Sequence, residues 1–336
     1  MPNQRIRLLL AILLSAIALW WFGHDIDWDA LGQALAGVHL GWVALAATVL
    51  LAEFWIRALR WAVLLRPLGT QARLVDLMAA TVSGAGVNTL VPLRAGELAK
   101  PVIAARRTGY PLAAVIATNV MERVFDLLGM VSILLLMVLA LPGDPGDDEL
   151  VTNLKLYGAI FGIAAISCLV LFFVLATRHT AARGVFAHIV SIAPPPVRRQ
   201  FLLLFDGFVA GLGSTRDVVS LLQAAGLSLA LWINGAVAIY LLFIAFGVGL
   251  PFAAACFTGV AIALTVALPQ APGFIGVFHI AIEKTLVLWG VAVAPAKGFA
   301  IVFWAVSFVP VTTLAVIALW REGLSLGSFA GRDREE

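Results

Sequence analysis

A chain of 336 residues would ordinarily make about two soluble domains, but 62% of its residues are hydrophobic, only 12% are charged and the mean hydropathy is +1.02. Soluble domains carry roughly 25% charged residues, so the composition excludes an ordinary soluble enzyme and points to one integral membrane domain over residues 1–336. The formal net charge of +3 sits in loops between apolar runs, where it reports topology, and no nucleic-acid partner is expected.

The first apolar run, 6–22, follows Arg5 and Arg7 and ends in Trp20 and Trp21 without an A-x-A site. It reads as a retained span with an aromatic interfacial end, not as a cleaved signal peptide. The loop from His24 to Asp29 is acidic and lacks Lys and Arg. The second run, about 40–56, is followed by Arg57, Arg60, Arg66 and Arg73, which places the N-terminus and this turn in the cytoplasm. The stretch 76–93, part of a unit spanning about 76–104, has Arg73 before it and Arg94, Lys100, Arg106 and Arg107 after it. Basic residues on both flanks require it to return to its starting side, as a re-entrant hairpin. Ser83-Gly84-Ala85-Gly86 permits close helix packing, and Pro92 breaks one helix and starts the next. A third span, about 111–141, ends in the acidic loop 143–149, which should be outside. A fourth, about 156–177, returns to a cytoplasmic connector, about 178–216, within which 201–212 suits the membrane interface.

The fifth span, 218–247, leads out again. The second unusual segment, 252–289, holds LPQAPGFIG at its centre and enters from the opposite side. A sixth span, about 299–320, ends in a polar cytoplasmic tail, 321–336. The fold class is therefore all-α: a polytopic bundle of about six spans plus two oppositely entering broken hairpins. This is the arrangement of an inverted repeat, with substrate near the midplane. Similarity between the two halves is weak, so the repeat rests on the Pro/Gly breaks and the charges. Cys168 and Cys256 lie in apolar runs without metal-ligand spacing and read as packing residues; no metal or other cofactor is implied.

The breaks carry chemistry. A half-helix starting at Pro92 would leave backbone N–H groups free near the bilayer centre, where the helix dipole favours an anion. Arg94 would add a planar fork that matches phosphate. A half-helix starting at Pro272 would offer the N–H groups of Gly273, Phe274 and Ile275, with Gly273 and Gly276 letting a ligand approach the backbone. In the third span Asn119, Glu122, Arg123 and Asp126 fall within one arc of the helix. Ionisable groups at such depth face a cavity or a partner. Arg123 should pair with Asp126, and Glu122 with Arg94 or Arg57. Glu53 and Arg57 share a face of the second span with Arg60, whereas Arg60, Arg66 and Arg73 read as snorkelling, orienting charges. A structural ion-pair network and a substrate site remain equally open for Glu53 and the third-span charges. His279 and Glu283, at i and i+4, are too few for a metal site and suit an interfacial hydrogen bond or, alternatively, a proton-linked pair. Asn234 should bond between helices.

Three ordered motifs carry a resemblance. Asn88-Thr-Leu-Val-Pro92-Leu-Arg94-Ala-Gly96-Glu97, then Glu122-Arg123-x-x-Asp126, then Pro269-x-x-Pro272-Gly273-x-x-Gly276-Val277 resemble the lysylphosphatidylglycerol synthase transmembrane family, also called flippase-like or UPF0104, over about residues 5–320. The resemblance implies a domain that moves lipids or lipid-linked molecules between leaflets, with these motif residues binding substrate. Glu53, Arg57, His279 and Glu283 would serve coupling or structure. Members often carry Glu soon after the second Gly motif, where this chain has His279. In the multiple peptide resistance factor a similar domain is joined to a soluble aminoacyl-transferase domain, for which this chain leaves no room, so synthesis of an aminoacylated lipid is not expected. Some relatives sit in hopanoid or glycolipid pathways, so the substrate need not be a phospholipid. The expected function is a lipid flippase in the plasma membrane with both termini cytoplasmic. Its partner is a membrane lipid, beside a homo-oligomer or lipid-synthesis enzymes. The sequence has no P-loop and no nucleophile–base arrangement. The alternatives are a membrane-embedded lipid-modifying enzyme using Glu97, Glu122 or Asp126 as base, and a non-transporting subunit of a lipid-synthesis complex.

Overall fold

The computed structural model describes residues 17, 19–24, 26–69, 72–91, 95–140, 149–192, 194–267 and 272–321. Among these residues all regular structure is helical. The α-helices are α1 (Trp28–Ala36), α2 (Leu40–Leu65), α3 (Leu74–Leu90), α4 (Gly96–Thr108), α5 (Leu112–Ala140), α6 (Glu149–Thr177), α7 (His179–Ile189), α8 (Pro195–Gly211), α9 (Val218–Ala245), α10 (Phe252–Ala267), α11 (Val277–Leu288) and α12 (Val293–Arg321). Three are long and apolar enough to cross a membrane: α2 with its continuation to Leu68, α9, and α12 as far as Ala318. Their outward faces keep large apolar side chains, among them Trp55, Leu222 and Ile317, exposed. An exposed apolar surface on that scale belongs to a protein solvated by lipid. α5 is equally long but carries Glu122, Arg123 and Asp126 midway.

Local chemistry sets the helix ends. Asp27 caps α1 by accepting from the N–H groups of Asp29 and Ala30. Asp217 caps α9, accepting from the Ser220 hydroxyl at 2.7 Å and from the Ser220 and Val219 N–H groups. These bonds, the hydroxyl's first, hold its carboxyl below the usual carboxylate range. Gly109 ends α4 in the left-handed conformation, with φ 73°.

Two sets of helices repeat one plan: a long helix, a hairpin, a long helix. The first set is α2, α3/α4 and α5; the second is α9, α10/α11 and α12. Their contacts pair off. α2 packs on α3 as α9 packs on α10, α12 packs on α3 as α5 packs on α10, and α2 meets α12 as α9 meets α5. The equivalent helices α2 and α9 lie against each other antiparallel. His39 N–H donates to Ala245 O, Asn234 Nδ2 to Val49 O and Arg60 Nη1 to Ser228 Oγ, while Arg66 Nη1 reaches Gln223 Oε1. Partner numbers therefore fall along one helix as they rise along the other, which makes the repeat inverted. One apolar core joins α2 to α6, and a second joins α9 to α12 with Phe22 and Ala46. Met130, Ile133 and the buried Cys256 belong to a third cluster between α5 and α10.

Both hairpins fold back on themselves, from opposite ends of the bundle. α3 and α4 have 17 and 13 residues, about 25 and 20 Å at a rise of 1.5 Å per residue, less than the roughly 30 Å hydrocarbon core. Arg107, near the end of α4, reaches Asp76 at the start of α3 at 2.8 Å. Gly84 and Gly96 make the close approach: a Cβ on Gly96 would collide with the Gly84 carbonyl and the Asn88 side chain. In the second hairpin Trp289, just past α11, meets Phe257 of α10. The break there is a short 3-10 turn, Pro272–Phe274, which packs against α3 of the other repeat.

The second half-helix starts later than Pro272. Gly273, Phe274 and Gly276 have φ of 75°, 55° and 89°, a left-handed region that interrupts the helix, so α11 opens at Val277 with Gly276 as its cap. The free N–H groups at that terminus belong to the turn starting at Val277, not to Gly273, Phe274 and Ile275. The second span also runs past residue 56, to Leu65, which moves Arg57 and Arg60 inside the helix.

Candidate functional site

The middle of the bundle holds an ionic cluster. Glu53 stands halfway along α2 and Asp126 halfway along α5. At its base Arg60 is fully buried. Its Nη1 donates to Asp126 Oδ1 at 2.7 Å and Ser228 Oγ at 2.8 Å, and its Nη2 lies 3.4 Å from Glu122 Oε1. The other Glu122 oxygen accepts from Lys100 Nζ of α4. Lys100 also lies over the Trp61 ring, 4.2 Å from its centroid, and Trp61 Nε1 donates to Thr118 Oγ1. Every charge at this level therefore has an opposite charge beside it, which an interior of low dielectric requires.

Above this base the cluster opens. Arg123 Nη1 meets Asp126 Oδ2 at 3.1 Å, and its Nε stands 3.7 Å from Glu97 Oε2, too long for a hydrogen bond. Arg57 Nε donates to Glu53 at 2.7 Å. Arg123 is 42% and Arg57 29% accessible, whereas Arg60 and Glu122 are wholly buried; this open side of the cluster, between α2 and α5, is its cleft. Arg123 and Arg57 feel each other's charge and share that of Asp126. Arg123 Nε and, one turn earlier, Asn119 Oδ1 are buried without a hydrogen-bond partner, as is Arg60 Nε at the base.

A family model described as the lysylphosphatidylglycerol synthase TM region matches residues 8–315. The chain belongs to that family. A UPF0104 membrane protein of Methanothermobacter thermautotrophicus is 27% identical over 327 residues, 92% of this chain and 90% of its own length. Glycosyltransferase AglD of Haloferax volcanii is 27% identical over 152 residues, 45% of this chain and 24% of its own length. No solved structure matches.

In this member of the lysylphosphatidylglycerol synthase TM region family, the three motifs fall in different places. Pro92, Arg94 and Pro269 lie outside the described residues. Asn88 and Gly96 face each other across the first hairpin, and Glu97, Arg123 and Asp126 form one wall of the cleft. The Arg123–Asp126 pair stands as expected. Glu122 does not take Arg57; its described partners are Lys100 and Arg60. Arg60 is no snorkelling charge, because α2 carries it below Trp61 and Leu64 into the core. Lys100, read from sequence only as a flanking charge, is buried for the same reason: the apolar turn Pro101–Ala105 still follows it.

Pro272, Gly273 and Gly276 form the tip of the second hairpin, held to α12 by a 2.7 Å bond from Trp304 Nε1 to Gly273 O. His279 and Glu283 do not pair. His279 Nδ1 faces the Gly276 N–H at 3.4 Å, and its ring contacts Phe22 and Trp304. Glu283 bonds Lys284. Beside His279 an apolar groove of ≈ 360 Å³ is lined by Leu19, Phe22, Trp28, Ile275, Ile301 and Trp304.

Proposed function

We propose that this protein moves a lipid or lipid-linked molecule with a phosphate-bearing headgroup between the leaflets of its membrane, without itself catalysing a reaction. The observation that carries this is the cleft: two accessible guanidinium groups, Arg57 and Arg123, on two long helices, above a base in which each charge has an opposite charge beside it. Ionisable groups at such depth mark substrate paths in membrane proteins. Among the described residues four cations, Arg57, Arg60, Lys100 and Arg123, face four carboxylates, Glu53, Glu97, Glu122 and Asp126. An arriving phosphate would exchange with a carboxylate for an arginine partner. The 3.7 Å contact of Glu97 with Arg123 is the loosest of these pairs. Phosphate on Arg123 would satisfy its Nε, and a headgroup hydroxyl would satisfy Asn119 Oδ1.

The groove beside the second break has the size and lining for part of an acyl or isoprenoid chain. In this reading the hairpins are re-entrant and meet near the midplane, as in transporters built from inverted repeats. The basic loops support an orientation in the plasma membrane with both termini cytoplasmic. The match to a glycosyltransferase favours a lipid that carries sugar. Of the carboxylates a lipid-modifying enzyme would use as base, Glu122 and Asp126 are held by cations and Glu97 stands 3.7 Å from Arg123, which favours a carrier.

Leaflet exchange of fluorescent phospholipid and glycophospholipid in liposomes tests this. Arg123→Ala should slow exchange about tenfold to a hundredfold per folded molecule, the worth of a charge-assisted hydrogen bond of roughly 1.5–3 kcal/mol. Exchange no faster than in empty liposomes for every lipid, or a product of altered mass, would reject the proposal.

A further inference from the structure

The connector between α6 and α9 is a helical hairpin of its own. The chain bends by 99° between α6 and α7. A helix that leaves an apolar, span-like helix at a right angle runs along the membrane surface. α7 and α8 are clasped together: Arg183 Nε donates to both Asp206 oxygens at 2.9 and 3.0 Å, and Phe186 stacks on Phe205 at 4.6 Å. The C-terminal half of α8 rests on α5 through Gly207 and Gly211. Among the described residues nothing covers the N-terminal half, and every residue from Pro194 to Phe201 is exposed.

This projecting half has two features that belong together. Val197, Phe201 and Leu204 recur at i, i+4 and i+7 and form an exposed apolar stripe, with Val185 and Ile189 exposed on α7. On the other side of α8 a cavity of ≈ 490 Å³ is lined by Arg183, Ser191, Pro195, Arg198, Arg199 and Leu202. Arg198 and Arg199 make no ion pair among the described residues. A soluble anion would account for the arginines but not the stripe. An anionic leaflet accounts for both, since in-plane amphipathic helices bury an apolar face among acyl chains and keep Arg at the phosphate level.

We infer that α7 and α8 form an in-plane anchor whose arginine-lined cavity takes the phosphate of an anionic phospholipid, at a site distinct from the cleft between α2 and α5. The site stands whether or not the cleft transports anything.

The test uses the full chain in nanodiscs of phosphatidylcholine, alone or in equal mixture with phosphatidylglycerol. Cys168 and Cys256 are replaced, and a fluorophore is attached to a single cysteine placed at Val197. Spin-labelled phosphatidylglycerol should quench it more strongly than spin-labelled phosphatidylcholine. Removing Arg198 and Arg199 should erase the preference at about fivefold per arginine, and Arg198→Lys with Arg199→Lys should keep most of it. Both positions are exposed, so unchanged thermal unfolding should accompany the loss. Equal quenching by the two lipids, no quenching by either, or a preference abolished by inorganic phosphate would each overturn the inference.

Discussion

Glu122 serves two cations with one carboxylate, and that makes it the residue on which folding leans hardest. With Glu122→Ala, Lys100 keeps only the Trp61 face and Arg60 keeps Asp126. Breaking a buried pair from one side costs about 3–5 kcal/mol, because the remaining charge is stranded. The variant should lose folded yield, or unfold well below the parent in detergent, as followed by thermal unfolding on size-exclusion chromatography. Arg123→Ala, at an accessible position, should unfold near the parent temperature. Equal stability losses for the two would mean that base and cleft are one structural network. The motif residues were legible because three charges inside an apolar run cannot be orienting charges. Arg60 and Lys100 were not, since a cation near the end of an apolar run looks alike whether it snorkels or is buried. The signal was Trp61 to Leu65, an apolar turn beyond Arg60 that keeps it from the surface.

At the scale of elements, the two hairpins were legible from Pro and Gly in the middle of apolar segments, since neither residue type favours an uninterrupted helix. Where the second half-helix begins was not legible. That depends on backbone dihedrals at Gly273, Phe274 and Gly276 that no pattern of residue types specifies. The first hairpin depends on backbone approach, which gives a direct test. A Cβ on Gly96 would run into the Gly84 carbonyl, a backbone atom that cannot swing aside, whereas a Cβ on Gly226 of α9 meets nothing within 4 Å. Gly96→Ala should therefore lower the unfolding temperature markedly. Gly226→Ala should leave it unchanged or raise it, because Ala is favoured over Gly in a helix by roughly 0.5–1 kcal/mol. If both behaved alike in thermal unfolding, the α3–α4 contact would not be limiting stability.

For the whole molecule, the inverted repeat was legible only in the Pro/Gly breaks and the charges, and is carried in the structure by the antiparallel pairing of α2 with α9. Sequence similarity between the halves is too weak to show it, because a repeat is preserved by shape and contact, not by residue identity. Its consequence is a sidedness that can be measured. α9 is 28 residues long, about 42 Å at 1.5 Å per residue and enough to span the hydrocarbon core. Its first end neighbours the Arg66 end of α2, and its last end neighbours His39. The basic residues Arg66, Arg73 and Arg216 gather at the first of these ends, so that end should be cytoplasmic. Single cysteines at Arg216 and Gly249, both exposed, in a background without Cys168 and Cys256, should then react from opposite faces of intact cells. Gly249→Cys should be reached by an impermeant maleimide from outside, and Arg216→Cys only after permeabilisation. A cysteine at the exposed Arg106, at the far end of the first hairpin, should behave like the one at Arg216, because α4 returns to the side from which α3 started. Labelling of Arg106→Cys from outside would mean that the first hairpin crosses the bilayer, and the two breaks would then no longer enter from opposite faces.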